Sequence, residues 1–278
     1  MLFNLKEILK YAEERGIALG AFNTPNMTSL KAVISAAEEL NQPVIIMHAE
    51  VHEEMGLCKM NEIAPLMLMF AKSAKVPVCV HLDHGVDMDY VKYGLELGFR
   101  SVMYDGSELD TEENIRNTKI IVEEAKKYNA SVEGEIGSMG AREGGADKPA
   151  NASVYTDPYD AADFVARTGV DALACAFGTA HGFYKNAPKL DFERISKIKD
   201  MIDVPIVMHG GSGVSDADYC EVIKRGVRKI NYYTYMAKAG GEAVSNKTYS
   251  QFHDVLLDAE KAMRENVKAA IRIFSMIN

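Results

Sequence analysis

Tryptophan is absent from this chain, and basic charge is scarce: 31 Lys and Arg stand against 40 Asp and Glu, a formal net charge of −9. The missing tryptophan excludes nothing. The missing positive charge makes nucleic acid a poor partner, because phosphate-backbone binding rests on cationic patches. An anionic small molecule can still bind where a metal or local groups reverse the sign of the field. No apolar run approaches the roughly 20 residues that span a bilayer, so no membrane partner is expected. The N-terminus carries charges from Lys6 onward and lacks the apolar core of a signal peptide. Cys58, Cys79, Cys175 and Cys220 include no Cys-x-x-Cys pair. Reduced thiols packed inside a cytoplasmic protein are the expectation. A Gly-x-Gly-x-x-Gly turn after a strand is missing too, which counts against a doubly wound open sheet.

What is present is alternation. Brief, mostly apolar strand candidates occur at Ala18–Asn23, Pro43–Met47, Val78–Leu82, Ser101–Tyr104, Ser131–Glu135, Ala172–Ala176, Pro205–Met208 and Lys229–Asn231, eight in all. Helical patterns separate them at Ser29–Leu40, Glu62–Ser73, Met88–Leu97, Glu112–Lys127, Tyr159–Arg167, Phe192–Met201 and Asp216–Lys224, with a last one after Tyr233. Asp110 or Thr111, Asp157 and Ser215 are N-cap candidates. Such a repeat predicts an α/β fold of the closed (β/α)8 TIM barrel type, with residues 1–278 forming a single domain. Two helices exceed the repeat. Leu5–Glu14 precedes the first strand and is placed to close the bottom of the barrel. Gln251–Phe274 is a C-terminal helical extension suited to dimerisation. After the fifth strand, the polar, Gly-rich segment from Gly137 to Asn151 is the kind of long loop that is either functional or disordered.

Active sites of such barrels sit at the C-terminal ends of the strands. The polar residues that fall there are Asn23, the His81–Gly85 segment, Asp105, Glu133, Glu135, His181, His209 and Asn231. Three histidines on three strand ends, His84, His181 and His209, fit a catalytic zinc site with an open fourth position. His81 is left out of this set, since in a pleated strand it should face a different way from His84. Asp83 beside His84 can shuttle a proton to a substrate oxygen, or it can orient an imidazole. Asp105 and Glu135 either bind a cation or orient histidines. The Gly210-Gly211-Ser212-Gly213 turn before a helix offers backbone N–H groups to an anion. Asn231 and Thr234 can complete that cradle.

In these residues the chain resembles the class II ketose-bisphosphate aldolases, whose best-known members cleave fructose 1,6-bisphosphate. The resemblance rests on Ala-Phe-Asn at 21–23, His-Leu-Asp-His-Gly at 81–85, Asp-Gly-Ser at 105–107 and Glu-Gly-Glu-Ile-Gly at 133–137. Gly-Thr-Ala-His-Gly at 178–182, His-Gly-Gly-Ser-Gly at 209–213 and Lys-Ile-Asn at 229–231 follow in family order. It implies carbohydrate metabolism, with glycolysis as the familiar setting. It also implies Zn2+ on His84, His181 and His209, acting as a Lewis acid on the ketone of a dihydroxyacetone-phosphate half. Asp83 would serve the oxygen at the cleaved carbon, and Glu143 the proton on the dihydroxyacetone carbon. Asn23 would hold the enediolate. Gly182, Gly210, Gly211, Ser212, Asn231, Tyr233 and Thr234 would contact the substrate, with Na+ or K+ near the phosphate. A homodimer or higher homo-oligomer is implied as well.

The distal half departs from the family pattern. Tyr233 stands where relatives carry Asp or Ala, and His48-Ala49-Glu50-Val51-His52 replaces a Ser-containing turn. Gln251-Phe252-His253 replaces an Asp-Pro-Arg whose arginine reaches the distal phosphate across a dimer. An imidazole, largely neutral at pH 7, suits phosphate less well than a guanidinium fork. An aldehyde half that is not phosphorylated, or a non-catalytic sugar-phosphate-binding barrel, are therefore the other readings. A Schiff-base aldolase is excluded from the sixth strand, where Ala172–Ala176 offers no amine. A zinc hydrolase lacks its usual His-x-His opening, since strand one ends Ala-Phe-Asn.

Overall fold

Strands covered on both faces are buried along their length, and those of this protein are, with their polar residues confined mainly to β4, β6 and β9. The computed structural model describes residues 1–137, 155–179 and 188–277. The barrel strands are β2 (Leu19–Asn23), β3 (Val44–Ala49), β4 (Val78–Gly85), β5 (Ser101–Tyr104), β6 (Ser131–Ile136), β7 (Ala172–Cys175), β8 (Ile206–Met208) and β9 (Val227–Tyr232). Each pairs in parallel with its sequence neighbours, and β9 pairs with β2, so the sheet closes. The TIM barrel expected from the sequence is thus the observed fold.

A two-residue strand, β1 (Leu2–Phe3), was not foreseen; it adds to the lower end of β4 through Leu2 opposite Val78. Helix α1 (Leu5–Arg15) follows. Asn4 and Glu7 cap it reciprocally at 2.9 Å each, and Gly16 ends it in the left-handed conformation. Its Leu5, Ile8, Leu9 and Ala12 lie on one face at helical spacing and are fully buried. They meet Leu19, Ala21, Ile45, Met47, Cys79, Ala172, Ala174 and Val207 inside the barrel. Burying a large aliphatic side chain contributes roughly 1.5–3 kcal/mol, so α1 is a firm floor.

Outside the barrel run α2 (Met27–Leu40), α3 (Glu50–Glu54), α4 (Met60–Ser73), α5 (Met88–Glu96), α6 (Thr111–Lys126), α7 (Pro158–Thr168), α8 (Phe192–Met201), α9 (Asp216–Lys224), α10 (Thr234–Ser245) and α11 (Phe252–Phe274). Asp110, Asp157 and Ser215 are the N-caps of α6, α7 and α9, as their side chains suggest. The short α3 lies where the sequence pattern shows no helix. Helix α11 buries Val267, Ala270, Ile271 and Phe274 against the barrel, whereas its first turns expose Phe252, Leu256 and Leu257. Among the described residues, no helix is long and apolar enough to cross a membrane.

Candidate metal centre

Strand β4 carries the centre and breaks its own alternation there. Successive strand residues face opposite sides, so His81 and Asp83 share the interior face and His84 is due to point outward. Instead the β4–β5 register shifts between Leu82 and Gly85, and His84 adopts φ 47°. A bulge re-aims a side chain in this way, and few residues with a Cβ adopt positive φ. Asp83 and His84 therefore line the mouth together. His81 does face inward, but deeper, with Nδ1 2.6 Å from Ser101 Oγ. Depth, rather than facing away, separates it from the other histidines.

His84 Nε2 and His209 Nδ1 stand 2.8 Å apart, their rings 88° to one another. The outer nitrogen of each ring is engaged. His84 Nδ1 donates to Asp105 Oδ2 at 2.9 Å, and His209 Nε2 donates to Glu133 Oε1 at 2.7 Å. Ser107 holds the second Asp105 oxygen through its hydroxyl at 2.7 Å, which gives the Asp-Gly-Ser motif a physical reason. Glu135 Oε2 lies 4.0 Å from His84 Nδ1 and 3.8 Å from His209 Nδ1, buried and without a hydrogen bond among the described residues.

This donor set fits a divalent cation. Asp83, His84 and His209 form one group, and His84, Asp105 and Glu135 another, with ligand atoms within 4.8 Å of each other in each. Two imidazole nitrogens on one tetrahedral zinc stand about 3.3 Å apart, so His84 Nε2 and His209 Nδ1, now at hydrogen-bonding distance, would part by roughly half an ångström to share one. The buried Glu135 oxygen beside them, without a hydrogen-bond partner among the described residues, offers the set a further donor atom. His181, Gly182 and Glu143 lie outside the described residues.

The electrostatics agree. Burial disfavours the charged form of each group. At His84 it is outweighed by Asp83, Asp105 and Glu135, which lift the imidazole pKa to about 10. His209 is lowered by burial and by the charge of His84. Burial and then Asp105 push Glu135 well above the usual carboxylate range. Asp83 goes the other way: burial raises it, yet His84, His209 and Lys229 hold it far below that range. Both Asp83 oxygens also accept hydrogen bonds, from Asn23 Nδ2 at 3.0 Å and from Asn231 Nδ2 at 2.9 Å. Asn23 and Asn231, expected on the substrate, thus hold the carboxylate in this structure.

The Gly-rich turn after β8 is pinned to β9. Gly211 N donates to Asn231 O at 3.2 Å, and a Cβ on Gly211 would stand 2.7 Å from that same oxygen. Only glycine lets the turn approach so closely. Ser212 Oγ accepts from Tyr233 N at 3.1 Å, which joins the turn to the start of α10 at Thr234. On the β3 side, His48 and His52 are fully buried, and the His52 ring lies 4.9 Å from the Tyr233 ring. Neither His52 nitrogen has a hydrogen bond among the described residues. Burial lowers both imidazoles to about 4 and keeps them neutral. His253 is exposed on the first turn of α11.

Two interior residues carry no role in the sequence-based reading, Glu133 and Lys229. Both are fully buried, with Lys229 Nζ 2.9 Å from Glu133 Oε2. Strand parity was the available signal, since Glu133 shares a face with Glu135 and Lys229 with Asn231.

Comparison with known proteins agrees with this geometry. The family described as Fructose-bisphosphate aldolase class-II matches residues 3–278. The crystal structure of the YdjI aldolase from Escherichia coli K12 is 36% identical, with a TM-score of 0.89, covering 99% of this chain and 97% of that one. The fructose-bisphosphate aldolase of Campylobacter jejuni is 25% identical, with a TM-score of 0.80, covering 100% of this chain and 96% of that one.

Proposed function

Because this chain belongs to the class II fructose-bisphosphate aldolase family, we propose that it cleaves a ketose phosphate reversibly to dihydroxyacetone phosphate and an aldehyde. The observation that carries the reading is the pair of facing nitrogens, His84 Nε2 and His209 Nδ1, beside an ionised Asp83. With His181 they would hold zinc, and Asp105 and Glu135 offer an alternative position for it. When bound, the metal supplies Lewis-acid polarisation of a carbonyl.

The protein's own groups do the rest. Asp83, held ionised by His84, His209 and Lys229 and steadied by two amides, takes the hydroxyl proton at the cleaved carbon and returns it in condensation. Glu143 moves the proton on the dihydroxyacetone carbon. Asn23, already beside Asp83, steadies the enediolate. Gly182, Gly210, Gly211, Ser212, Asn231 and Thr234 receive the phosphate, aided by Na+ or K+ near Gly182 and Gly210. Tyr233 borders the substrate. The exposed Phe252, Leu256 and Leu257 of α11 support a homo-oligomer.

A specific observation favours a second reading of the aldehyde half. Neutral His48 and His52 offer no counter-charge where the distal group is expected, so an aldehyde without phosphate fits better than glyceraldehyde 3-phosphate. Dihydroxyacetone phosphate with a panel of aldehydes tests both readings. Condensation should require metal and fall roughly a hundredfold or more in His209→Ala, since even residues behind metal ligands are worth 10–100-fold. Undiminished activity in that variant would sink the assignment.

A further inference from the structure

The barrel interior holds a buried ammonium that the reaction does not use. Lys229 projects inward from β9 and is fully buried. Its Nζ lies 2.9 Å from Glu133 Oε2, 3.3 Å from Glu133 Oε1 and 2.7 Å from Asn231 Oδ1. These contacts face two ways. Glu133 Oε1 accepts from His209 Nε2 at 2.7 Å, so the lone pair of His209 sits on Nδ1, toward His84. Asn231 Nδ2 donates to Asp83 Oδ1 at 2.9 Å. A lysine can only donate and an ionised aspartate can only accept. The Asn231 amide between them therefore has one permitted orientation.

We propose that Lys229 is a positioning residue that sets the metal-ligating nitrogen of His209 through Glu133 and the donor face of Asn231 toward Asp83. The inference rests on the aldolase reading for its purpose, though not for its geometry. Stability alone does not call for this lysine, because a buried ion pair is often matched or bettered by apolar residues of similar volume. Two hydrogen-bonded arms that end on a metal ligand and on the proton carrier are what an apolar residue could not supply. Without the ammonium, the Asn231 oxygen loses its buried donor and the amide its hold beside Asp83, and the Glu133 carboxylate loses its anchor beneath His209. Outer partners that orient a ligand imidazole are worth 10–100-fold in metal affinity or activity.

The test compares wild type, Lys229→Met, Glu133→Gln and the double variant, with Lys229→Gln as a milder change that keeps an N–H donor. Zinc affinity is read by competition with a chromophoric chelator. The His209 tautomer is read by 15N NMR of the metal-free protein, and folding by thermal unfolding. Lys229→Met should weaken zinc about 10–100-fold and lower kcat by a similar factor with KM little changed. Its His209 should no longer be purely Nε2-protonated, and the double variant should be little worse than Lys229→Met alone, because the Glu133 arm is already lost in that variant. If Lys229→Met does not fold, Lys229→Gln should show the same changes in smaller measure. Zinc affinity within about twofold of wild type in a folded Lys229 variant, or losses that simply add in the double variant, would overturn the proposal. A wild type that binds zinc with the Nε2-protonated His209 but cleaves no ketose phosphate would instead refute the aldolase reading and leave the positioning role standing.

Discussion

The two ends of the barrel interior are built on opposite principles. At the floor, Leu19, Ile45, Met47, Cys79 and Val207 pack on Leu5, Ile8 and Leu9 of α1, with nothing to ionise except a thiol that burial pushes up to about 12. At the mouth stand Asp83, Asp105, Glu133, Glu135, His84 and His209, all buried and mostly hydrogen-bonded to one another. The difference teaches where rigidity comes from. The floor is stabilised by non-directional burial, which tolerates a change of shape at a cost in stability. The mouth is held by directional contacts, in which a lost partner changes a tautomer or a charge.

The floor offers the sharpest way to break this contrast. Leu9→Ala should cost about 2–5 kcal/mol of stability through lost burial and a cavity. Turnover at temperatures well below unfolding should stay unchanged. Calorimetry with steady-state kinetics checks both, and a large fall in kcat in the folded variant would show that the floor and the mouth are coupled.

The β3 side of the mouth gives the next largest effect. His52 is held near 4 in the folded protein, chiefly by burial, against 6.5 for an unperturbed imidazole. Between those values the unfolded chain binds more protons than the folded one. The stability contributed is therefore present above pH 6.5 and lost as pH falls toward 4. The full effect is on the order of 3 kcal/mol. His52→Phe should flatten the decline of the melting temperature from pH 6.5 to 4.5. An unchanged slope would show that His52 is not the group responsible, and would leave His48 and His81, which burial also lowers, to about 4 and about 3.

The smallest effect is expected at the rim. His253 is exposed on α11, at the position where the resemblance leads one to expect a phosphate-binding arginine. His253→Arg should raise the preference for a phosphorylated over an unphosphorylated aldehyde a few-fold, in line with roughly 0.2–1 kcal/mol for an exposed ion pair. Competition between the two aldehydes measures it, and no change would place the distal group elsewhere.

Much of the fold was legible because it is written in short-range periodicity. Brief apolar segments gave the eight barrel strands, and Asp110, Asp157 and Ser215 marked helix starts. Most of the candidate site was legible as well, since strand ends converge in any closed barrel. The depth of His81, the bulge at His84 and the Lys229–Glu133 pair were not. Each depends on contacts between strands, in register or across the barrel, which local sequence does not encode.

By itself, the sequence determined the closed barrel, the end of it where the candidate site lies, and the residue types gathered there, because periodicity and strand-end position are properties of neighbours along the chain. Only the tertiary structure decided which nitrogen of each imidazole faces its partner. His209 is 125 residues from His84 and 76 from Glu133. A hydrogen atom on one ring nitrogen or the other is placed by those distant contacts, and closing the barrel is what brings them within hydrogen-bonding reach.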